Sequence, residues 1–317
     1  FFKKKNTCNV LLLIIGLSFA DPRFNDWFLM SSPLPTLGMC FAYVAIVHWG
    51  QKWMKDRQAY DLKYCLVIYN FLLVLLSVYM FHEVSEKLIA QQLLFALRDL
   101  QMVFKDSLGL ISLCIKSCVV MLRAVIWWFY FSKLLEFLDT IFFVLRKKNS
   151  QITFLHVYHH FTMPLLWYSG VKWVGGGCSY YAPLANSFIH TLMYTYYMLA
   201  AVGPQMQPYL WWKKYMTKLQ LFQFISMISI AMYGIIRPCG FPPNWLWAQV
   251  IVCITYFVLF CNFYYQAYVK RAREQKLRKV EQNGVSNGHV ANGSLKEQNG
   301  YANANGYANG HAAVKVD

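Results

Sequence analysis

The chain has 317 residues, of which 57% are hydrophobic and 18% aromatic while only 14% are charged, and its mean hydropathy is +0.33. That balance excludes an ordinary water-soluble domain, because one soluble core cannot hide so many long apolar stretches. The net charge of +16 sits in short basic clusters between apolar runs, a pattern that belongs to membrane topology and not to nucleic-acid binding.

Residues 1–35 read as a luminal N-terminal segment, in which the apolar run Val10 to Ala20 is too short to cross a bilayer and reads either as part of a truncated or misassembled N-terminus or as a signal-like segment. Apolar runs then predict an all-α, polytopic membrane protein with seven transmembrane helices. They lie at about Thr36 to Gly50, Tyr64 to Phe81, Val119 to Leu145, Ile152 to Ser169, Tyr180 to Val202, Met216 to Ile236 and Trp245 to Val269. Basic residues follow alternate spans: Lys52, Lys55 and Arg57 after the first, Arg146, Lys147 and Lys148 after the third, Lys213 and Lys214 after the fifth, Lys270, Arg271 and Arg273 after the seventh. The positive-inside rule makes that side cytosolic and the N-terminus luminal. The segment Glu83 to Cys118 is mixed in polarity and falls on the luminal side. The predicted transmembrane domain is 36–269. Residues 270–317 form a basic, then Asn- and Gly-rich, tail that cannot bury enough apolar surface to fold, and a cytosolic tail keeps the sequon at Asn292 away from glycosylation. The nine cysteines form no C-x-x-C pair, which points to neither a zinc site nor a disulfide scaffold.

Ionisable groups inside a bilayer are costly and normally face a bundle interior or a working cavity, so their spacing is the most informative feature. Span three carries Lys133, Glu136, Asp139 and Thr140 on one helix face. Span four opens with His156, His159 and His160. Span five carries Asn186 and His190, with Met193, Tyr194 and Tyr197 on the same stripe, and span six carries Thr217, Gln220 and Gln223. At 1.5 Å per residue, Asp139 lies about 10 Å from the cytosolic end of its span, His159 about 13 Å, His190 about 18 Å and Gln220 about 10 Å. These polar faces therefore converge in one half of the bilayer. A single chamber open to the cytosol explains that with fewer assumptions than separate buried pairs.

Three imidazoles in five residues beside two carboxylates exceed what packing needs. On the residues alone, two uses stay open. H-x-x-H-H occurs in membrane di-iron desaturases and hydroxylases, but a second histidine box is absent, and only His156, His159, His160 and His190 reach one depth. The alternative is covalent: a neutral imidazole attacks a thioester and becomes acylated. A seven-span receptor or transporter fits the topology but has no use for the histidine box.

At these residues the chain resembles the ELO family, the elongases of very long chain fatty acids. K-L-L-E-F-L-D-T-I-F-F-V-L-R-K-K, F-L-H-V-Y-H-H, N-S-F-I-H-T-L-M-Y-T-Y-Y and T-K-L-Q-L-F-Q-F are similar to the family's four signature segments, in order. W-F-L-M-S-S-P-L-P-T-L and W-M-K-D-R resemble the branch acting on very long saturated and polyunsaturated chains. The resemblance implies seven helices around an acyl tunnel, residence in the endoplasmic reticulum and no metal or other cofactor. It implies a 3-oxoacyl-CoA synthase that joins long-chain acyl-CoA to malonyl-CoA. His159 would carry the acyl group, with His156, His160 and His190 as acid-base or positioning groups oriented by Glu136 and Asp139. Lys133, Asn186, Tyr194, Tyr197, Gln220 and Gln223 would contact substrate, and Lys147 and Lys148 the CoA phosphates. Membrane lipid, a second copy and the other enzymes of the elongation cycle are the implied partners. The family's luminal cysteines suggest a Cys114–Cys239 disulfide. Glu83 to Cys118 lacks the family's usual aromatic and acidic stretch, and the ending V-K-V-D lacks the second basic residue of a retrieval signal.

Overall fold

The computed structural model describes residues 24–101, 124–174, 180–237 and 241–280, and among them all regular structure is helical. In chain order the helices are α1 (Leu34–Trp53), α2 (Lys63–Gln101), α3 (124–135), α4 (Phe137–Leu145), α5 (Phe154–Val174), α6 (Tyr181–Val202), α7 (Lys213–Ile236) and α8 (Pro243–Tyr264). Cys114, Cys118, Cys239, the run Val10 to Ala20 and Asn292 lie outside the described residues. The chain divides into two compact units, Phe1–Phe260 and Cys261–Asp317. The second begins in the last turn of α8 and contains a π-helical turn, Tyr265–Lys270, followed by helix to residue 280, ten residues past the expected start of the tail.

Within the first unit, α2 buries Leu66, Asn70, Leu73, Ser77, Met80 and Val84. That 4-3-4-3-4 spacing makes one continuous seam, and α2 packs along α6. The sequence predicts an end near Phe81, yet the helix continues to Gln101. The continuation is rich in Leu, Ala, Gln and Glu, and is braced by one-turn pairs, His82 with Glu86 at 3.5 Å and Glu83 with Lys87 at 3.8 Å. Its 39 residues span roughly 58 Å at 1.5 Å each, nearly twice a bilayer's hydrocarbon core of about 30 Å.

The predicted third span is interrupted at Glu136. The helix tightens there, with the Asp139 amide bonded to the Glu136 carbonyl three residues back. α4 ends in a Schellman turn: the Lys148 amide donates to the Phe143 carbonyl and the Lys147 amide to Val144, with Lys147 at φ 55°. α6 stops at Gly203, whose φ of 130° and ψ of −169° suit glycine alone.

Contacts sort the loops into two ends. At one, the Tyr60 amide donates to the Leu145 carbonyl at 3.0 Å, Lys147 Nζ donates to the Lys55 carbonyl at 2.9 Å, and Gly203 lies beside Lys63. At the other, Trp127 Nε1 donates to the Phe28 carbonyl, Lys172 Nζ bonds Asn25 Oδ1 and the Met30 carbonyl, and Trp173 stacks with Trp245. The first end holds the basic clusters after spans one, three and five, which is the grouping that charge alternation predicts.

The unit is inside-out relative to a soluble protein. Phe41, Trp49, Ile68, Phe222, Ile225, Ile236, Ile251 and Val258 are exposed, while Lys133, Glu136, Lys172, His160 and His190 are buried. Among the described residues three helices are long and apolar enough to cross a membrane, Lys63–Ala90, Lys213–Ile236 and Pro243–Val280. α5 and α6 have 21 and 22 residues, but carry much of the polar cluster described next.

Candidate active site

The junction of α3 and α4 is the root of the polar cluster. Lys133 and Glu136, each 2% exposed, lie one turn apart with Nζ 2.6 Å from Oε1. Ions so far from water cost several kcal/mol each unless every polar atom is met. Here the lysine also donates to Asn186 Oδ1 at 3.2 Å, approaches His190 Nδ1 at 3.5 Å and lies 4.5 Å from the centre of the Phe129 ring. Glu136 Oε1 is in turn 3.3 Å from His190 Nδ1. Asn186 and His190 are one turn apart on α6, so a single helix face completes the coordination of a pair on its neighbour. The string continues one turn further. Tyr194, 1% exposed, packs its ring against His190 and donates its hydroxyl to Asp139 Oδ2 at 3.0 Å.

A second string leaves the same junction toward α5. Thr140, one turn beyond Glu136, lies 2.7 Å from His156 Nε2 and 3.1 Å from the Tyr43 hydroxyl of α1. The three imidazoles follow in contact, His156 to His160 at 4.3 Å and His160 to His159 at 5.2 Å between ring centres. Tyr256 of α8, 1% exposed, closes the far side, its ring 5.5 Å from that of His159. Its hydroxyl bonds Thr162, which also donates to the Tyr158 carbonyl of α5. Pro164 lies inside α5 and has no amide proton to give the His160 carbonyl, so the backbone is locally loosened at the histidines.

Among the described residues, the ring nitrogens of His159 and His160 have no hydrogen-bond partner, whereas those of His156 and His190 do. His160 is buried and His159 half-buried. Ser187 Oγ is the one buried side-chain oxygen or nitrogen left without a partner among the described residues. The set therefore holds two hydrogen-bonded imidazoles, His156 and His190, two without a hydrogen-bond partner among the described residues, buried His160 and half-buried His159, and two carboxylates with one ammonium. That is enough for nucleophilic attack supported by proton transfer.

The structure thus brings together Lys133, Glu136, Asp139, Asn186, His190 and Tyr194, and His156, His159 and His160. It separates others. Gln220 Nε2 is 3.9 Å from Met193 Sδ, and Gln223, buried, faces Met227 of its own helix. Tyr197 is 37% exposed and packs edge-on against Tyr194. Lys147 and Lys148 lie at the basic end, where Lys147 ties two loops together. Sequence reasoning missed Tyr43 and Tyr256. Tyr43 had a signal: Thr36, Cys40 and Tyr43 fall at i, i+4 and i+7, and they form the buried stripe of α1. Tyr256 had none, being one aromatic among many in an apolar run.

Comparison with known proteins agrees with this picture. The chain is 44% identical over 271 residues to very long chain fatty acid elongase 5 of Tachysurus fulvidraco, covering 85% of this chain and 87% of that one. It is 40% identical over 295 residues to very long chain fatty acid elongase 4 of Homo sapiens, covering 92% and 90%. Against very long chain fatty acid elongase 5 of Bos taurus the identity is 43% over 284 residues, covering 88% and 91%. Residues 28–276, which contain both polar strings, match the family ELO: GNS1/SUR4, and the chain belongs to that family.

Proposed function

We propose that this chain is the condensing enzyme of very-long-chain fatty acid elongation, a 3-oxoacyl-CoA synthase acting on long-chain acyl-CoA and malonyl-CoA. Family membership and the names of relatives at 40–44% identity support elongation as its activity. The observation that carries the mechanism is the half-buried His159, whose ring nitrogens are unbonded among the described residues, within a set of restrained imidazoles and carboxylates. A lone pair of the neutral His159 ring attacks the thioester carbonyl, the C–S bond breaks, and CoA leaves as a thiol with the proton the imidazolium sheds. Malonyl-CoA then loses CO2. The resulting enolate forms a C–C bond to the acyl carbon, the C–N bond breaks, and the imidazole regains a proton from its surroundings. His156, His160 and His190 serve as acid-base or positioning groups, which Glu136 orients through its contact with His190 and Asp139 through Tyr194, while Lys133, Asn186, Tyr194, Tyr197, Gln220 and Gln223 line the path of the substrates. No metal or other cofactor enters these steps.

The same reading makes α3 and α4 one span, giving seven around an acyl tunnel in the domain 36–269. It places the basic end, with Lys147 and Lys148 near the CoA phosphates, in the cytosol together with the tail, and the protein in the endoplasmic reticulum. A second copy and the other enzymes of the cycle are its partners there.

The test is incubation of microsomes containing the chain with labelled malonyl-CoA and a panel of acyl-CoAs. The wild type should yield labelled 3-oxoacyl-CoA, and His159→Ala should lower the rate by on the order of a thousandfold or more. Condensation retained by His159→Ala would remove that residue from the nucleophilic role.

A further inference from the structure

Thr140 is 1% exposed, and its hydroxyl touches two groups from two other helices, the Tyr43 hydroxyl at 3.1 Å and His156 Nε2 at 2.7 Å. The hydroxyl has one proton and two lone pairs. Accepting from both neighbours would leave its own proton without an acceptor at a site closed to water, since no other hydrogen-bond partner of Thr140 is found among the described residues. It therefore donates to one neighbour while accepting from the other. Tyr43 is itself 2% exposed, and its ring is fixed by stacking on Phe137, 4.6 Å between centres and 17° from parallel. The phenol therefore has little solvent to turn toward. A phenol is a stronger donor and a poorer acceptor than an aliphatic alcohol, which favours one polarity: Tyr43 donates to Thr140, and Thr140 donates to Nε2 of His156.

We propose that Tyr43 and Thr140 form a directed hydrogen-bond relay that fixes the tautomer and ring plane of His156, and so present the histidine box in one working arrangement. With Nε2 occupied as an acceptor, the His156 proton resides on Nδ1. Phe143, its ring 5.3 Å from that of His156, and His160, at 4.3 Å, restrict rotation of the imidazole about the Thr140 contact. Tyr43 and Thr140 are positioning residues, since they act through His156 and not on substrate. Assigning the relay a part in turnover rests on the condensing reading above, whereas the tautomer it sets does not.

The experiment uses the full chain, purified in detergent and labelled with 15N-histidine, as wild type, Thr140→Val, Thr140→Ser and Tyr43→Phe. His156 is identified in the spectrum by the resonances lost in His156→Gln. The relay predicts an Nδ1–H tautomer for His156 in the wild type and in Thr140→Ser, and a mixed tautomer in Thr140→Val and Tyr43→Phe. It predicts that Thr140→Val lowers kcat by on the order of tenfold to a hundredfold, as expected for a misoriented catalytic group. KM for acyl-CoA should stay within about twofold, because the loss is in orientation and not in binding. Thr140→Ser should recover most of the rate. An Nε2–H tautomer in the wild type, or an unchanged tautomer and kcat in folded Thr140→Val, overturns the proposal. Should Thr140→Val fail to fold, Tyr43→Phe decides by the same readouts, since it deletes one oxygen and keeps the Phe137 stack. If the wild type itself forms no 3-oxoacyl-CoA, the condensing reading falls, while the tautomer still decides the relay.

Discussion

Lys133 and Glu136 could not occupy their positions singly. Each is almost wholly withdrawn from water, and each satisfies the other in an environment where an unpaired ion is expensive. Lys133→Met should therefore destabilise the protein by about 3–5 kcal/mol, because it strands the Glu136 carboxylate. Adding Glu136→Leu should restore most of the melting temperature without restoring elongation. Thermal unfolding in detergent beside a condensation assay checks this, and recovered activity in the double variant would reduce the pair to a structural strut. The side chains of this string were legible in the sequence because ions and amides inside apolar runs are too costly to stand there without partners or a polar cavity. Tyr43 was legible only as part of the stripe Thr36, Cys40 and Tyr43, and Tyr256 not at all, since a tyrosine in an apolar run is ordinary until its hydroxyl partner is known.

At the scale of elements, apolar runs located the helices well and their ends less well. α1, α5 and α7 overlap the predicted spans and extend beyond them at one or both ends, because interfacial residues such as Lys52, Lys172 and Lys213 continue a helix although they lower its hydropathy, while α6 matches its predicted span to within one residue. α2 overran its predicted end by twenty residues for the related reason that helix propensity and one-turn pairs do not register as apolarity. The interruption at Glu136 left no trace in composition, since it is a change in backbone hydrogen bonding, from four residues back to three, within one continuous predicted span. Close packing between elements makes its own prediction at the glycines of α1. A Cβ on Gly50 would stand 3.1 Å from Val144 Cγ1 of α4, whereas one on Gly38 would meet nothing within 4 Å. Gly50→Leu should cost about 1–3 kcal/mol by forcing α1 from α4. Gly38→Ala should be neutral or stabilising by up to about 1 kcal/mol through helix propensity. Melting temperatures of the two variants test the contrast, and equal tolerance at both positions would contradict the α1–α4 contact.

For the molecule as a whole, the arrangement follows from a single solvent constraint. In the first unit large apolar side chains face outward, backbone polarity is closed within helices, and Lys133, Glu136, His160 and His190 are buried inside, while Lys172 is buried at the end away from the basic loops. Charge alternation revealed that grouping of loops from sequence, because lysine and arginine placement is set by topology and not by packing. What the alternation could not reveal was how the polar faces divide into two strings, with His159 at the end of one and His190 within the other. Turnover by the proposed route requires His159 to bear the acyl group. The most direct measurement is tandem mass spectrometry of the purified protein after exposure to long-chain acyl-CoA without malonyl-CoA. One acyl group per chain on His159, discharged on adding malonyl-CoA and missing in His159→Ala, is the predicted result; an acyl group on another side chain, or condensation with no His159 adduct trapped, would contradict it.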